Sequence, residues 1–334
     1  MNKRKLKILL RTLLIAIRIY CYFRQKKNKE RVVAVLLLLP ALMLLLPTFN
    51  FELTLIQSFL FQAMIVYGAL SIFWIRRYHY RLASINFSIF LLLLIKVNNP
   101  IDLGYQVVQG DEQLSVMQFN ILAPNKAYEE TIEQIKGLSP DFVSFQEISD
   151  TWANELEVRL IDEYPYHRIV RHNNQTQGIA VFSKYPLTQI EELDWYGTAN
   201  ISGKVQVGEE LINFLCLHTK SPMTRNRWQV RNAHIEKARN YVNSKPGEFL
   251  VLGDFNTVPW DSRLINFKSD TQLLDSRKDL TPTFPTWNPF VAQIPIDYIF
   301  HSRGIGCESL DSVTITSDHK AILGTYAIQK PARL

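Results

Sequence analysis

The sequence predicts an α/β domain of mixed β-sheets and helices, preceded by an α-helical transmembrane module. From Leu114 onward, apolar runs of strand length alternate with polar, helix-like runs, whereas three nearly uncharged apolar stretches lie before it. The charge divides at the same place: residues 1–109 hold 15 Lys/Arg against 3 Asp/Glu, and residues 110–334 hold 22 against 28. The basic excess belongs to the N-terminal third, so it does not indicate that the α/β domain binds nucleic acid.

Residues 1–31 form a basic N-terminal segment, in which residues 6–23 fit an amphipathic helix lying on a membrane surface. A fourth transmembrane span is the alternative for residues 6–23. A cleavable signal peptide fits less well, because Arg11 and Arg18 interrupt the apolar run and no small-residue cleavage site follows.

Residues 32–97 are predicted to form a transmembrane module with about three helices. The uncharged stretch 32–49 has about the length needed to cross roughly 30 Å of hydrocarbon, and two further stretches cover about 53–75 and 82–97. The alternative is that these stretches are buried helices of a soluble protein, but three long apolar helices within 70 residues are difficult to bury in one soluble core.

The positive charges predict the orientation of these spans. Eleven Lys/Arg precede the first span, and three more lie between the second and third: Arg76, Arg77 and Arg81. Because positive residues are retained in the cytoplasm, the sequence predicts a multi-pass protein of a bacterial inner or cell membrane with its N-terminus in the cytoplasm. The domain after the linker 98–113 is predicted to lie outside the cytoplasm. A cytosolic domain with the reverse topology is the alternative.

Acids, amides and histidines recur at the ends of the strand-like runs. Taken singly, each has an ordinary explanation, since Asn and Asp often cap turns and histidines are often structural. Side chains at the ends of separate strands can instead converge on one rim and form a site. Asp254 and Asn256, two residues apart on an extended chain, would point the same way. The residues concerned are Asn120, Glu147, His218, Asp254, Asn256, Asp297, Asp318 and His319.

This set of side chains favours metal-assisted hydrolysis of a phosphate ester. Carboxylates with an Asn carbonyl form an oxygen-rich site that suits Mg²⁺, with Mn²⁺ as a second candidate. Histidines can contact phosphate oxygens, and a carboxylate can orient or deprotonate water. The three cysteines show no CxxC spacing, and the motifs GxxxxGK[ST], GxSxG and GxGxxG do not occur. A thiolate zinc site, a nucleotide loop and a serine nucleophile elbow are therefore not indicated.

The order of the motifs FN, QE, GDFN, IDYIF and SDH, with His218 closing a strand before GDFN, resembles the endonuclease/exonuclease/phosphatase superfamily. That superfamily includes DNase I-like nucleases, abasic-site endonucleases, sphingomyelinases and inositol polyphosphate phosphatases. The resemblance covers about residues 114–328 and implies a DNase I-like four-layer α/β sandwich, with two mixed β-sheets flanked by helices. Predicted spans followed by such a domain are similar to a membrane-anchored bacterial subgroup of the family.

The resemblance also implies which residues bind the metal ion. Glu147 would be the principal metal ligand, with Asn120 and Asp318 close to the metal. Two departures from the family pattern occur: Phe119 stands where many relatives have Trp, and Lys320 stands where a small apolar residue or Pro is usual. Neither departure removes a catalytic group.

On the phosphate side, the resemblance implies that Asp254 aligns or deprotonates the attacking water. Asn256 and His218 would hold the phosphate and its developing charge. His319 would contact a phosphate oxygen, with its ring oriented by Asp297. Attack would be in line with the leaving oxygen.

Two further segments are candidates for substrate binding. Arg227 and Arg231 lie one turn apart in a predicted helix and could form a cationic wall beside the site, although a solvated helix with ordinary charges fits as well. The stretch TPTFPTWNPF, residues 281–290, could bring Trp287 to a base, sugar or lipid, or it could be a packed loop.

These observations predict a membrane-anchored, divalent-metal-dependent phosphoesterase at the extracytoplasmic membrane face. The 17 or so residues between the last span and the first strand reach at most roughly 60 Å, which keeps the site near the bilayer. The predicted partners are a phosphoester substrate and the lipid bilayer, with no obligate protein partner indicated. One alternative is an extracytoplasmic nuclease acting on DNA or RNA. Another is a non-catalytic membrane protein that binds a phosphorylated ligand.

Overall fold

The computed structural model describes residues 14, 15, 18, 26–100, 112–172 and 176–328. The chain divides into two compact units, one formed by Met1–Leu46 with Leu60–Lys96 and the other by Pro47–Phe59 with Val97–Leu334. The amphipathic helix predicted over 6–23 and most of the predicted linker fall outside the described residues, so both remain predictions.

Four helices cover the described part of the N-terminal third: α1 (Lys26–Leu45), α2 (Phe51–Gln57), α3 (Leu60–Arg76) and α4 (Tyr80–Asn98). By length and composition, α4 could cross a membrane. Helices α2 and α3 meet at an angle of 57°, and together they give a second candidate if they form one bent span. Helix α1 begins with the segment KKNKER, five of whose six residues are charged, which reduces its apolar length. The described residues therefore offer one or two candidate spans where the sequence predicts about three.

The predicted single helix over about 53–75 is interrupted. Helix α2 ends at Gln57, and α3 begins at Leu60. The segment Pro47–Phe59, which contains α2, belongs to the same compact unit as the α/β domain. A stretch of apolar composition is thus divided between two units.

In its described residues, the α/β domain contains twelve strands and four further helices. The first half comprises β1 (Glu112–Asn120), α5 (Tyr128–Leu138), β2 (Phe142–Ile148), α6 (Asp150–Leu160), β3 (Tyr166–Val170), β4 (Gly178–Ser183) and β5 (Leu187–Asp194). The second half comprises β6 (Ala199–Val207), β7 (Glu210–His218), α7 (Arg225–Ser244), β8 (Phe249–Asp254), α8 (Ser262–Thr271), β9 (Leu274–Asp275), β10 (Asp297–His301), β11 (Ile305–Val313) and β12 (Ala321–Ile328). A 3₁₀ turn covers Phe290–Ala292.

The strands form two six-stranded mixed sheets, in the orders β11-β12-β1-β2-β4-β3 and β5-β6-β7-β8-β10-β9. A buried cluster that includes Phe142 and Phe214 joins the facing sides of the two sheets. Helices α5 and α6 cover the outer side of the first sheet, where Trp152 is buried, and α7 and α8 cover the second around Phe267. The domain therefore has the predicted architecture of two mixed sheets flanked by helices.

Gly253 allows β7 and β8 to approach closely just before the strands end. It has a φ of +154°, and a Cβ built on it would lie 1.9 Å from the carbonyl oxygen of Leu217 in β7. No side chain fits at that distance, so only glycine permits this backbone approach. The close contact lies one residue before His218 and Asp254, which are paired across the two strands.

Candidate active site

Three strands of the second sheet bring a histidine and two acids side by side. Parallel pairing of β7 with β8 places His218 opposite Asp254, and antiparallel pairing of β10 with β8 places Asp297 opposite the same Asp254. Because β10 runs in the opposite direction, its first residue lies where β7 and β8 end. The register therefore brings three of the predicted site residues to one edge of the sheet.

Glu147 lies at a β-bulge near the end of β2. The pairing of β2 with β4 shifts register between Gln146 and Ile148, and Glu147 has a φ of 57°. A bulge takes one residue out of the regular alternation and redirects its side chain. Such a left-handed conformation costs a non-glycine residue about 1–3 kcal/mol and is common at functional positions. The bulge, which strand alternation alone does not predict, sets the direction of the Glu147 side chain.

Asn120, the last residue of β1, connects the two sheets at this edge. Its Nδ2 donates to Glu147 Oε1 at 3.1 Å and to Asp254 Oδ2 at 3.2 Å, while its Oδ1 accepts the N–H of Leu122 at 3.1 Å. Side chains from both sheets therefore meet within hydrogen-bond distance. Asn120 holds the two carboxylates together, and direct contact of its Oδ1 with a metal would require the amide group to turn over.

Glu147, His218 and Asp254 are arranged to hold a cation, since their potential ligand atoms all lie within 4.8 Å of one another. His218 Nε2 is 3.6 Å from Glu147 Oε1 and 3.7 Å from Asp254 Oδ2. Burial lowers the pKa of His218, although Glu147 acts in the opposite direction. The ring is therefore neutral at pH 7, and a neutral imidazole nitrogen can coordinate a metal.

Asp254 is buried, and its two carboxylate oxygens have different surroundings. Oδ1 accepts the N–H of Asn256 at 2.8 Å, whereas Oδ2 lies 3.7 Å from His218 Nε2 and 3.8 Å from His319 Nε2. Burial and the nearby charge of Asp297 raise the pKa of Asp254 well above its usual value. A raised pKa makes the carboxylate a stronger base, so Oδ2 is the atom placed to accept a proton.

Asn256 does not continue the strand, contrary to the expectation of an extended chain through both residues of the pair. Strand β8 ends at Asp254, and Asn256 has a φ of 48°. Its Nδ2 donates to the carbonyl oxygen of Thr219 at 2.9 Å. A primary amide carries a second N–H, and that hydrogen is the one suited to a phosphate oxygen.

His319 and Asp297 form a close buried pair. His319 Nδ1 lies 2.8 Å from Asp297 Oδ2, and Asp297 Oδ1 accepts a hydrogen bond from Gln118 Nε2 at 3.0 Å. Burial alone would lower the pKa of His319, but Asp297, with a smaller effect from Asp254, raises it to about 10. The ring is therefore protonated at pH 7, and its Nε2–H is a cationic donor on the side that faces Asp254.

Asp318 lies at the border of this cluster. Ser317 Oγ donates to the carbonyl oxygen of Asn120 at 2.8 Å and lies 3.4 Å from Asp318 Oδ1. Burial raises the pKa of Asp318, with an opposing effect from His319. Within the described chain, neither group of side chains arranged to hold a cation includes Asp318, so its role as a metal ligand remains a prediction.

Arg231 corrects the prediction of a two-arginine wall on α7. Its side chain is fully buried, with Nη2 3.3 Å from Asp261 Oδ2 and Nη1 donating to the carbonyl oxygen of Asn256 at 3.2 Å. Arg231 lies on about the same face of α7 as Arg227, but the segment after β8 covers it, through Asn256 and Asp261. Arg227 is exposed, and its charge helps lower the pKa of His218, so substrate contact by Arg227 remains a prediction.

Trp287 lies in a loop that contacts Asp318 and His319. Thr286 N donates to the carbonyl oxygen of Asp318 at 2.9 Å, and the ring of Phe284 lies 4.8 Å from that of His319, centroid to centroid. The Trp287 side chain itself is 69% exposed. The base of the loop is therefore packed, as one interpretation of the sequence predicted. The Trp287 side chain is exposed, so its contact with a substrate stays a prediction.

Three supporting residues were not identified from the sequence: Gln118, which binds Asp297, Thr219, which binds Asn256, and Ser317, which binds Asn120. Strand alternation offers a signal for Gln118, since it lies two residues before Asn120 and shares its face of β1. Thr219 and Ser317 lie in connecting segments, where no periodic pattern applies.

Residues 117–319 match the model of the Endonuclease/Exonuclease/phosphatase family. No curated protein matches the chain at the sequence level. Among solved structures, D. rerio TDP2 in complex with a single-strand DNA product is 15% identical with a TM-score of 0.55, covering 65% of this chain and 99% of that one.

Two bacterial structures are similarly related. An endonuclease/exonuclease/phosphatase from Bacteroides vulgatus is 18% identical with a TM-score of 0.53, covering 65% of this chain and 99% of that one. Sphingomyelinase C from Streptomyces griseocarneus is 15% identical with a TM-score of 0.51, covering 64% and 99%. At these identities the structural matches establish the fold of the α/β domain.

Proposed function

Because this chain belongs to the endonuclease/exonuclease/phosphatase family, whose members hydrolyse phosphoester bonds, we propose that it is a membrane-anchored phosphoesterase that uses a divalent metal ion. The observation that carries the proposal is the meeting of Glu147, His218 and Asp254 within 4.8 Å, beside the His319–Asp297 pair. This arrangement supplies a cation site, a base and a cationic donor in one place.

The donor set fits Mg²⁺ or Mn²⁺. Glu147 Oε1 is the carboxylate oxygen offered to the cation, with Asp318 as a further predicted ligand, and hard cations prefer such oxygen ligands. Asp254 Oδ2 stays free of the metal to take the proton of the attacking water. Cys216 and Cys307 are both buried members of the inter-sheet core, so neither offers a thiolate to this site. A divalent cation held by Glu147 would supply positive charge against the phosphate oxygens.

Three side chains of the protein accept the proton or contact the phosphate. Asp254 Oδ2 accepts the proton of the attacking water, while the N–H of Asn256 holds Oδ1 in place at 2.8 Å. Protonated His319 donates from Nε2 to a phosphate oxygen, with its orientation fixed by Asp297 at 2.8 Å. The free N–H of the Asn256 side chain donates to a second oxygen. Donors fixed before the reaction stabilise charge that develops in the transition state.

We expect hydrolysis to require a divalent metal ion and the affinity for that ion to depend on Glu147. EDTA is expected to abolish hydrolysis of bis(p-nitrophenyl) phosphate by the full chain, and added Mg²⁺ or Mn²⁺ should restore it. Glu147→Gln should raise the Mg²⁺ concentration for half-maximal activity by at least about 10- to 100-fold, the loss that follows even when only an outer partner of a metal ligand is removed. The matched control is Glu130→Gln, at an exposed acid on α5. Activity that persists in EDTA, or an unchanged Mg²⁺ requirement in Glu147→Gln, would refute the metal mechanism.

We place the catalytic domain on the extracytoplasmic face of a membrane. Segment Pro47–Phe59 packs on this domain, with Thr48 N donating to Ser262 Oγ at 3.0 Å and Trp228 Nε1 donating to Thr54 Oγ1 at 3.0 Å. Groups in contact share one side of a membrane, so the chain between them must cross an even number of times. The proposal therefore needs α3, with 17 residues, and α4 to cross once each, and α1 to supply a third crossing, although only α4 passes by itself on length and composition among the described helices. The turn between α3 and α4, with Arg76, Arg77 and Arg81, would then lie with the basic N-terminus in the cytoplasm.

Reporter fusions test this topology. Alkaline phosphatase fused after residue 328 is expected to be active, and green fluorescent protein at the same position is expected to be dark. Fusions after residue 78, in the turn between α3 and α4, should give the opposite pair of results. Fluorescence rather than phosphatase activity at residue 328 would show that the catalytic domain is cytosolic.

The exposed loop favours a substrate presented at a lipid surface. Trp287, Phe290 and Val291 are all more than half exposed within five residues, and residues 281–293 carry no charge. Tryptophan at such a position binds readily at a lipid interface. Lys320 Nζ lies 5.9 Å from the centre of the Phe290 ring, where it can meet an anionic headgroup.

A substrate screen separates lipid from nucleic acid. Trp287→Ala is expected to raise the KM for phosphodiester lipid in vesicles by about 10-fold, in line with the loss of one interfacial aromatic, and to leave the hydrolysis of bis(p-nitrophenyl) phosphate unchanged. Tyr166→Ala, at a partly exposed aromatic on β3, is the matched control. Turnover of single-strand DNA or RNA but not of lipid would instead establish the nuclease alternative, and binding without turnover of any phosphoester would establish the non-catalytic one.

A further inference from the structure

Segment Pro47–Phe59 is bound to the catalytic domain through a short stretch of chain that begins at the active site. That stretch, residues 254–262, starts with Asp254 and ends with the first residue of α8. Ser262 N donates to Thr48 Oγ1 at 2.6 Å, and Trp260 Nε1 donates to the carbonyl oxygen of Gln57 at 2.6 Å. The contacts are internal to one compact unit, and Thr48, Gln57 and Trp260 are all buried.

Between these two ends, a buried ion pair holds Asn256. Asp261 caps α8 by accepting the N–H of Arg263 with Oδ1 at 2.8 Å, while its Oδ2 lies 3.3 Å from Arg231 Nη2. Arg231 Nη1 then donates to the carbonyl oxygen of Asn256 at 3.2 Å. A guanidinium group presents several donors in one rigid plane, so it can fix two acceptors at once. Arg231 therefore links the N-terminus of α8 to the residue beside the catalytic Asp254.

Asn256 depends on such outside support. Its φ of 48° is a conformation that a non-glycine residue adopts at a cost, and it persists where the surroundings impose it. Its own N–H in turn fixes Asp254 Oδ1 at 2.8 Å. Displacing the Asn256 backbone would move the carboxylate that acts as the base.

A second set of contacts fastens the same segment to α7, the helix that carries Arg231. Trp228 Nε1 donates to Thr54 Oγ1 at 3.0 Å, and Arg225 forms an ion pair with Glu52 and lies over the ring of Phe51. Trp228 precedes Arg231 by one helical turn, so both lie toward the same side of α7. The segment thus contacts both elements that carry the Arg231–Asp261 pair.

We propose that Arg231 is a positioning residue for Asn256 and Asp254, and that the docked segment Pro47–Phe59 braces it through Trp260, Ser262 and α7. The segment lies in the chain between α1 and α3, which belong to the proposed membrane module, so the geometry of the catalytic base depends on a part of the chain outside the α/β fold. The expected effect on kcat rests on the proposed function, whereas the expected effect on the structure around Asn256 does not.

The experiment uses the full chain with two variants, Arg231→Lys and the double change Thr48→Val with Trp260→Phe. Both are expected to lower kcat for bis(p-nitrophenyl) phosphate by about 5- to 20-fold with KM unchanged, because small displacements of a catalytic group cost rate rather than binding. Both should also speed amide hydrogen exchange in residues 254–258 by about 10-fold while leaving residues 114–119 of β1 as in the wild type.

The matched control is Tyr241→Phe, which removes a hydrogen bond of 3.0 Å to Glu191 from the same helix without contacting the Arg231 pair. It should leave both kcat and the exchange of residues 254–258 unchanged. Wild-type exchange in residues 254–258 of both variants, or faster exchange without any fall in kcat, would overturn the proposal. If the wild type hydrolyses no phosphoester, the proposed function fails by that result, while the exchange measurement still decides whether the brace exists.

Discussion

Asp254→Asn is expected to lower kcat by about 10³-fold or more, because the amide has no basic oxygen to take the proton of the attacking water. The replacement keeps the volume and retains an oxygen that can accept the N–H of Asn256, a contact of 2.8 Å in the native chain. Steady-state hydrolysis of bis(p-nitrophenyl) phosphate at saturating Mg²⁺ measures the effect. An activity within about tenfold of the wild type would show that Asp254 is not the base.

The same change should not destabilise the protein in metal-free buffer. Burial and the neighbouring charge of Asp297 raise the pKa of Asp254, so its ionised form is unfavourable in the folded state. An uncharged amide removes that unfavourable charge, but its NH₂ group replaces Oδ2, which accepts the N–H of Asn120 at 3.2 Å. The two effects oppose each other, so the unfolding temperature should change little. Asp162→Asn, at an exposed acid between α6 and β3, is the matched control and should change neither kcat nor the unfolding temperature. A large fall in unfolding temperature with Asp254→Asn would assign the activity loss to misfolding.

Gly253→Ala is expected to destabilise the catalytic domain by about 3–5 kcal/mol, a loss at the upper end for single substitutions. The added Cβ would lie 1.9 Å from the carbonyl oxygen of Leu217, which belongs to the backbone of β7. Because backbone atoms cannot rotate away as a side chain can, β7 and β8 must separate. Thermal unfolding of the full chain in detergent should show a midpoint lowered by about 10 °C or more.

Gly137→Ala provides the contrast for this prediction. Gly137 lies in α5, and a Cβ built there meets no other heavy atom within 4 Å among the described residues. Since alanine favours helix more than glycine does, this change should stabilise the protein by about 0.5–1 kcal/mol. Equal effects of the two substitutions would contradict the assignment of a close strand contact to Gly253.

Much of the fold was accessible from local patterns. The alternation of strand-like and helix-like runs predicted the α/β domain, since burial of one face imposes a period of 2 on strands and 3.6 on helices. The ordered motifs predicted the family and the eight residues at the strand ends. Glu147, His218, Asp254, Asp297 and His319 do meet in the structure, because parallel neighbours end at one edge and β10 begins there.

The side chain of Arg231 shows where local patterns fail. Spacing along a helix gives the angle between two side chains, but it does not tell which side chain is exposed to solvent and which is covered by a neighbouring element. The ion pair with Asp261 and the bond to the carbonyl oxygen of Asn256 join segments 25 to 30 residues apart. No periodicity within α7 contains that information.

The sequence by itself determined the chemistry available to this protein, namely which acids, amides and histidines stand at strand ends and which segments are apolar. Only the tertiary structure decided how those groups act. The bulge at Glu147, the turned backbone at Asn256 and the docking of Pro47–Phe59 each arise from contacts between distant parts of the chain. Residue type and spacing record local preference, whereas the direction and charge state of a side chain depend on which distant groups are packed against it.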